Sequence, residues 1–190
     1  MIWAIGNGES RANVNINNLR GIKVGCNAIV RDYHVDCLVC VDRRMVKEAL
    51  DIKFTNKILT RKDWLDRFNN PNVDAVPDLP YVGNQRVDEP FQWGSGPYAV
   101  LQASLQSKKI SLIGFDLYSV TKKINNIYKD TENYDPSNKD AIDPRYWIHQ
   151  IGKVFECFTK NTYTVYQRPD WRLPKAWEFP NVSVDNIDNL

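Results

Sequence analysis

Short, almost uninterrupted apolar runs recur along the chain, and most stop at a glycine or a polar residue. They are Ile2–Ile5 before Gly6, Ile22–Cys26 before Asn27, Asp36–Val41 before Asp42, Lys57–Thr60, Ile110–Ile113 before Gly114, and Thr162–Tyr166. A strand that is apolar on both faces must be covered on both faces, which is the situation of a parallel sheet between layers of helix. Helical spacing of apolar residues over 43–50, 62–68, 95–106 and 143–158 supplies those layers. Pro97 suits the first turn of the third of these helices, and Ser95 or Gly96 can cap it. The expected fold is therefore α/β, a Rossmann-like and mostly parallel sheet with helices on both faces. Residues 1–166 make a single domain, and 167–190 follow as an extended C-terminal tail without regular period. Two long polar segments interrupt the pattern, 69–92 and 117–143. The length of the first favours a functional or lid-like role.

In open parallel sheets, ligands lie outside the carboxyl ends of the strands. That rule gathers Gly6, Asn7, Gly8 and Ser10 after the first strand, Asn27 after the second, Asp42 after the third, and Gly114-Phe115-Asp116 after a later one. The helix start at Ser95-Gly96 is the natural fifth member of this rim. Gly6 and Gly8 lack Cβ atoms, so their turn can be tight. If its N–H groups point outward, they form a phosphate or nucleotide site without a charged side chain. The alternative is that Gly-Asn-Gly is simply a turn.

Several chemistries are excluded or disfavoured. A dinucleotide fingerprint needs a third glycine where Arg11 stands and an acid where the second strand ends in Asn27. No G-x-x-x-x-G-K-[ST] and no H-E-x-x-H occurs, and His34 and His149 are the only histidines. With no Asp-x-Asp pair either, no metal site is expected and a bound Mg²⁺ is not required. Cys37 and Cys40 have C-x-x-C spacing but fall within one strand, where residues three apart point to opposite faces. They read as buried, reduced thiols, as do Cys26 and Cys157. A net charge of +2, with Lys and Arg scattered, argues against general nucleic-acid binding. No apolar run is long enough to span a membrane and no leader pattern is visible, so a cytoplasmic protein is expected.

Taken in order, Gly6-Asn7-Gly8-Glu9-Ser10, Cys26-Asn27, Ser95-Gly96 and Gly114-Phe115-Asp116-Leu117-Tyr118 resemble the motifs of the bacterial sialyltransferase family typified by the Campylobacter enzymes. That family carries Gly-Asn-Gly-Pro-Ser, Cys-Asn, Thr-Ser-Gly and Gly-Ile-Asp-Phe-Tyr in the same order. The resemblance covers most of residues 2–158, and its opening motif is shared with pterin pyrophosphokinase-like proteins. Short proteins of this group are common in bacteriophage genomes, so the resemblance also suggests a phage setting. It implies a CMP-type nucleotide sugar as donor and metal-independent, inverting transfer to a hydroxyl acceptor. By the same resemblance Asn7 and Asn27 would contact ribose and phosphate, and Ser95 and Gly96 would cradle the nucleotide. Tyr118 would hydrogen-bond the leaving phosphate, as a phenol can without a counter-ion. Tyr128 would be a second such donor and His149 the general base.

The chain departs from the pattern at Gln92, where the family has Arg, and at Glu9, where it has Pro. Two alternatives stay open on the same fold: a pyrophosphokinase-like transferase, and a non-catalytic nucleotide-binding or assembly protein. The Trp- and Pro-containing tail packs either on its own domain or on a neighbour, which would make a homo-oligomer.

Overall fold

The computed structural model describes residues Met1–Leu190. At its centre an eight-stranded sheet runs in the order β5-β4-β3-β2-β1-β6-β7-β8, and every pairing in it is parallel. The strands are β1 (Ile2–Ile5), β2 (Ile22–Cys26), β3 (Cys37–Val39), β4 (Lys57–Thr60), β5 (Val73–Ala75), β6 (Lys109–Ile113), β7 (Thr162–Gln167) and β8 (Val182–Asn186). Three α-helices accompany them: α1 (Arg43–Asp51), α2 (Ser95–Gln106) and α3 (Arg145–Cys157). The sequence-based expectation of a Rossmann-like α/β fold holds.

Two cores flank the sheet. On one face Ala4, Val24, Val39, Leu112 and Val165 pack beneath Tyr98, Leu101, Ile151 and Phe155 of α2 and α3. On the other, Trp3, Ile5, Leu38 and Ile113 pack beneath Met45 and Val46 of α1, helped by Ile29 and by Tyr128 of the 117–143 loop. Cys37 belongs to the first core and Cys40 to the second, as expected for two strand residues three apart. Burial pushes the Cys26 thiol up to about 12 and Cys37 to about 11.

From β1 the chain builds outward to β5, then α2 returns it across the sheet so that β6 lies on the other side of β1. The order of strands reverses between β1 and β6, which is where a crevice opens at the carboxyl edge. Ile5 pairs with Ile113, and Gly6 and Gly114 meet directly beyond them. A Cβ on Gly6 would lie 2.3 Å from the Gly114 carbonyl oxygen, and Gly114 itself has φ +73°. Only glycine tolerates both the approach and the left-handed backbone here.

The structure departs from the sequence reading in three places. Residues 62–67 form a 3₁₀ segment rather than an α-helix. The irregular stretch 69–92 contributes β5, a short edge strand with no fully buried residue. The tail is not merely extended, because β8 pairs with β7 from Tyr163↔Val182 to Gln167↔Asn186 and becomes the sheet's edge in its place. Trp177 of the tail is fully buried and its indole N–H donates to the Ile148 carbonyl at 2.8 Å. The tail therefore packs on its own chain. No helix is long and apolar enough to cross a membrane.

Candidate functional site

A cavity of about 360 Å³ opens at the carboxyl edge, beyond the ends of β1 and β6. Nine of the expected binding residues line it: Gly6, Asn7, Gly8, Asn27, Asp42, Ser95, Gly96, Gly114 and Asp116. The 117–143 loop and α3 add walls the sequence reading did not assign, among them Leu117, Ile124, Asn125, Trp147 and Ile151. Ser10, Tyr118, Tyr128 and His149 do not line it.

The glycine turn after β1 is not an open fan of donors. Gly6 N–H donates to the Ile113 carbonyl and Gly8 N–H to that of Gly114, both at 2.9 Å. Glu9 N–H donates to Asn125 Oδ1 and Ser10 N–H to Asp116 Oδ2, both at 2.8 Å. Of the first N–H groups beyond β1, that of Asn7 has no acceptor in the protein. The turn is consumed in docking against the turn after β6. Asp116 serves the same purpose: its Oδ1 also takes the Ser10 hydroxyl and, at 3.2 Å, the Gln167 amide. Ser10 and Asp116 are thus joints between neighbouring strand ends.

Free donors lie instead at the start of α2. Ser95 and Gly96 N–H have no acceptor in the protein, and Pro97 has no N–H to offer. These first-turn groups, at the positive end of the helix dipole, belong to residues that line the cavity. The Ser95 hydroxyl donates to Asn27 Oδ1 at 2.9 Å and accepts Val41 N–H at 3.1 Å, which links the ends of β2 and β3 to α2. Asn27 adopts φ +49°, a left-handed conformation that Asn accepts more readily than most residues. Its Nδ2 group makes no bond within the protein.

Asn7 lines the cavity with a side chain already occupied. Its Nδ2 donates to the Cys26 carbonyl at 3.1 Å and to the Tyr134 hydroxyl at 3.3 Å. Its Oδ1 accepts from the Arg11 guanidinium at 3.0 Å. Arg11, 1% exposed, also donates to the Gly6 carbonyl at 2.6 Å and stands 5.9 Å from the centre of the Tyr128 ring. The residue that breaks a dinucleotide fingerprint is thus a buried bracket beneath the glycine turn. Its unbroken attachment to Gly6 and Asn7 could not be read from the local sequence.

Tyr128 belongs to this bracket. It is buried against Arg11, Arg31 and Tyr134, and burial pushes its phenol up to about 12. It packs behind the cavity rather than facing it. Tyr118 is exposed beside the mouth, between the lining residues Leu117 and Ser119. Glu9 turns away to form an ion pair with Lys129, so its carboxylate does not face the cavity. Asp42 caps α1 by accepting Arg44 N–H at 2.9 Å, and its hydrogen bonds with Arg44 hold its carboxyl below the usual value.

His149 lies inside α3, on the side away from Trp147 and Ile151. Its Nε2 stands 2.7 Å from Asp88 Oδ1, and Asp88 also accepts the Tyr81 hydroxyl at 2.9 Å and Gln85 N–H at 3.1 Å. The histidine expected to serve as base thus lies outside the cavity lining, where its bond to Asp88 joins α3 to the 81–92 segment.

The cavity combines donors at a helix start, a free amide on Asn27 and apolar surfaces of Phe115, Trp147 and Ile151. No Lys, Arg or His lines it. No three His, Cys, Asp or Glu side chains converge anywhere to hold a metal ion. Comparison with protein-family models, curated proteins and solved structures gives no match.

Proposed function

We propose that this cavity binds a nucleotide, and that the chain is a glycosyltransferase using a CMP-type sugar donor. The observation that carries the reading is convergence. The four segments that resemble the sialyltransferase motifs are far apart in sequence, and each contributes to one cavity at the strand-order reversal. In this reading the donor's phosphate sits at the Ser95 and Gly96 N–H groups, Asn27 Nδ2 reaches the ribose, and the base rests on apolar wall near Trp147. Helix-start donors suit a phosphate without a cationic side chain. Tyr118, exposed between the lining residues Leu117 and Ser119, would have to turn in from the mouth to meet the leaving phosphate. In an inverting transfer the acceptor hydroxyl attacks the anomeric carbon opposite the departing phosphate and loses its proton to a base.

His149 lies outside the cavity lining, and that specific observation favours a second reading, a nucleotide-binding protein on the same fold without transfer chemistry. Calorimetry with CMP, CDP, UDP and GDP, with and without Mg²⁺, tests the shared premise. CMP binding without Mg²⁺, weakened by Asn27→Ala, supports the donor site. Absence of binding by all four nucleotides refutes both readings, and Mg²⁺-dependent binding points to the pyrophosphokinase-like alternative. Turnover of CMP-sugar by the wild-type chain separates transferase from binding protein.

A further inference from the structure

Beside the cavity, the carboxyl ends of β3 and β4 carry a cluster that neither core absorbs. Trp64 is half-buried, and its indole N–H donates to the Val41 carbonyl at 3.1 Å. Three guanidinium groups stand close to its ring centre: Arg43 at 5.8 Å, Arg61 at 5.2 Å and Arg67 at 5.4 Å. Arg61 also lies 3.8 Å from the ring centre of Phe91, which is 63% exposed. Trp64 and Phe91 belong to neither hydrophobic core.

Three cations around one ring repel one another, and the ring quadrupole offsets only part of that cost. Arg61 is neutralised by Asp63 at 2.5 Å. Arg43 and Arg67 are both exposed and form no salt bridge. An aromatic shelf with two unpaired guanidinium groups is suited to a ligand that has a flat or ring-shaped apolar face and an anionic group. Its position also connects it to the cavity. Val41 lines the cavity, its N–H is held by Ser95, and its carbonyl is held by Trp64.

We propose that this shelf is the acceptor subsite, and that the acceptor is a short anionic saccharide whose ring stacks on Trp64 and whose carboxylate or phosphate meets Arg43 and Arg67. The assignment of the shelf to an acceptor rests on the glycosyltransferase reading; its ability to bind an anionic saccharide does not. A nucleic-acid strand suits it less well. Asp63, Asp66 and Asp78 are interspersed among the cations and would repel a continuous phosphate backbone, whereas a saccharide with one or two charges can avoid them.

The test is titration of the full chain, without nucleotide, with lactobionic acid and trehalose 6-phosphate, using lactose and trehalose as neutral controls. Tryptophan fluorescence and calorimetry report binding, and Trp64→Phe identifies the fluorescence signal from the shelf. The expected result is that the anionic saccharides bind more tightly than their neutral counterparts. Arg43→Ala with Arg67→Ala should lower that affinity about tenfold, the loss from two exposed charge contacts together. Both residues are on the surface, and an unchanged circular dichroism spectrum and melting temperature would show that the variant remains folded. Equal binding of charged and neutral saccharides, absence of saccharide binding, or an undiminished affinity in the double variant would overturn the proposal. Tighter binding of a short oligothymidylate than of either saccharide would also overturn it. Since no nucleotide is present, failure here leaves the CMP result intact, and failure of CMP binding leaves this result intact.

Discussion

Replacing His149 by alanine distinguishes a fastener from a catalytic base. Asp88 is buried and has three hydrogen-bond partners, His149, Tyr81 and Gln85 N–H. Removing the imidazole leaves two of them and deletes a bond involving an ionised acceptor, worth about 2 kcal/mol. For a chain of this size that loss corresponds to roughly 4–8 °C in melting temperature. A double-mutant cycle with Asp88→Asn should return a coupling of about 1–2 kcal/mol, with Tyr81 and Gln85 as constant background. The pH dependence has a definite sign. Burial alone would raise the Asp88 carboxyl, but the His149 bond and those from Gln85 and Tyr81 bring it below its usual value. A depressed carboxylate stabilises the fold above its unfolded value, and that contribution is lost as pH falls through the lowered folded value. The coupling should therefore be present at neutral pH and fade below about pH 4. Differential scanning calorimetry across that range is the assay, with CMP-sugar turnover measured on the same samples. An unchanged melting temperature together with abolished turnover would refute the structural assignment and restore His149 as the base.

The remaining expectations concern the rim and the thiols. Asn7→Ala removes bonds to Cys26, Tyr134 and the buried Arg11, and should cost about 2–4 kcal/mol in urea denaturation. Asn27→Ala should instead lower CMP affinity about tenfold, with a stability loss near 1 kcal/mol from its left-handed backbone. Gly114→Ala would place a Cβ 2.6 Å from the Gly6 carbonyl oxygen at positive φ, and a loss of about 2–4 kcal/mol is expected in the same denaturation assay. In the native protein a thiol reagent such as Ellman's should modify Cys157 alone within minutes. Cys157, expected to be buried, is exposed, whereas Cys26, Cys37 and Cys40 are buried out of the reagent's reach. Rapid reaction of a second thiol would contradict the packing of β2 and β3.

What the sequence makes legible follows from how far each determinant reaches along the chain. The inner strands are buried on both faces, so their apolar runs identify them without further context. Edge strands carry less of that signal. In β8, Ser183 and Val184 are exposed, and β5 is short and only half-buried, so neither shows a continuous apolar run. The rim was legible as a set of polar strand ends, because the strand order alone brings those ends together. The direction of each side chain was not. Asn7 is held in part by Tyr134, 127 residues away, and Ser10 is held by Asp116, 106 residues away. Neither partner leaves a mark in the local sequence. His149 is a different case, because helix phase was sufficient to locate it. Trp147 and Ile151 are four apart and share the face that lines the cavity. His149 lies two residues from each, about 200° around the helix, and so must face away from whatever they enclose. Under the proposed transfer reading, with His149 directed away, a base would be sought on the Trp147–Ile151 face or among the rim residues that line the cavity.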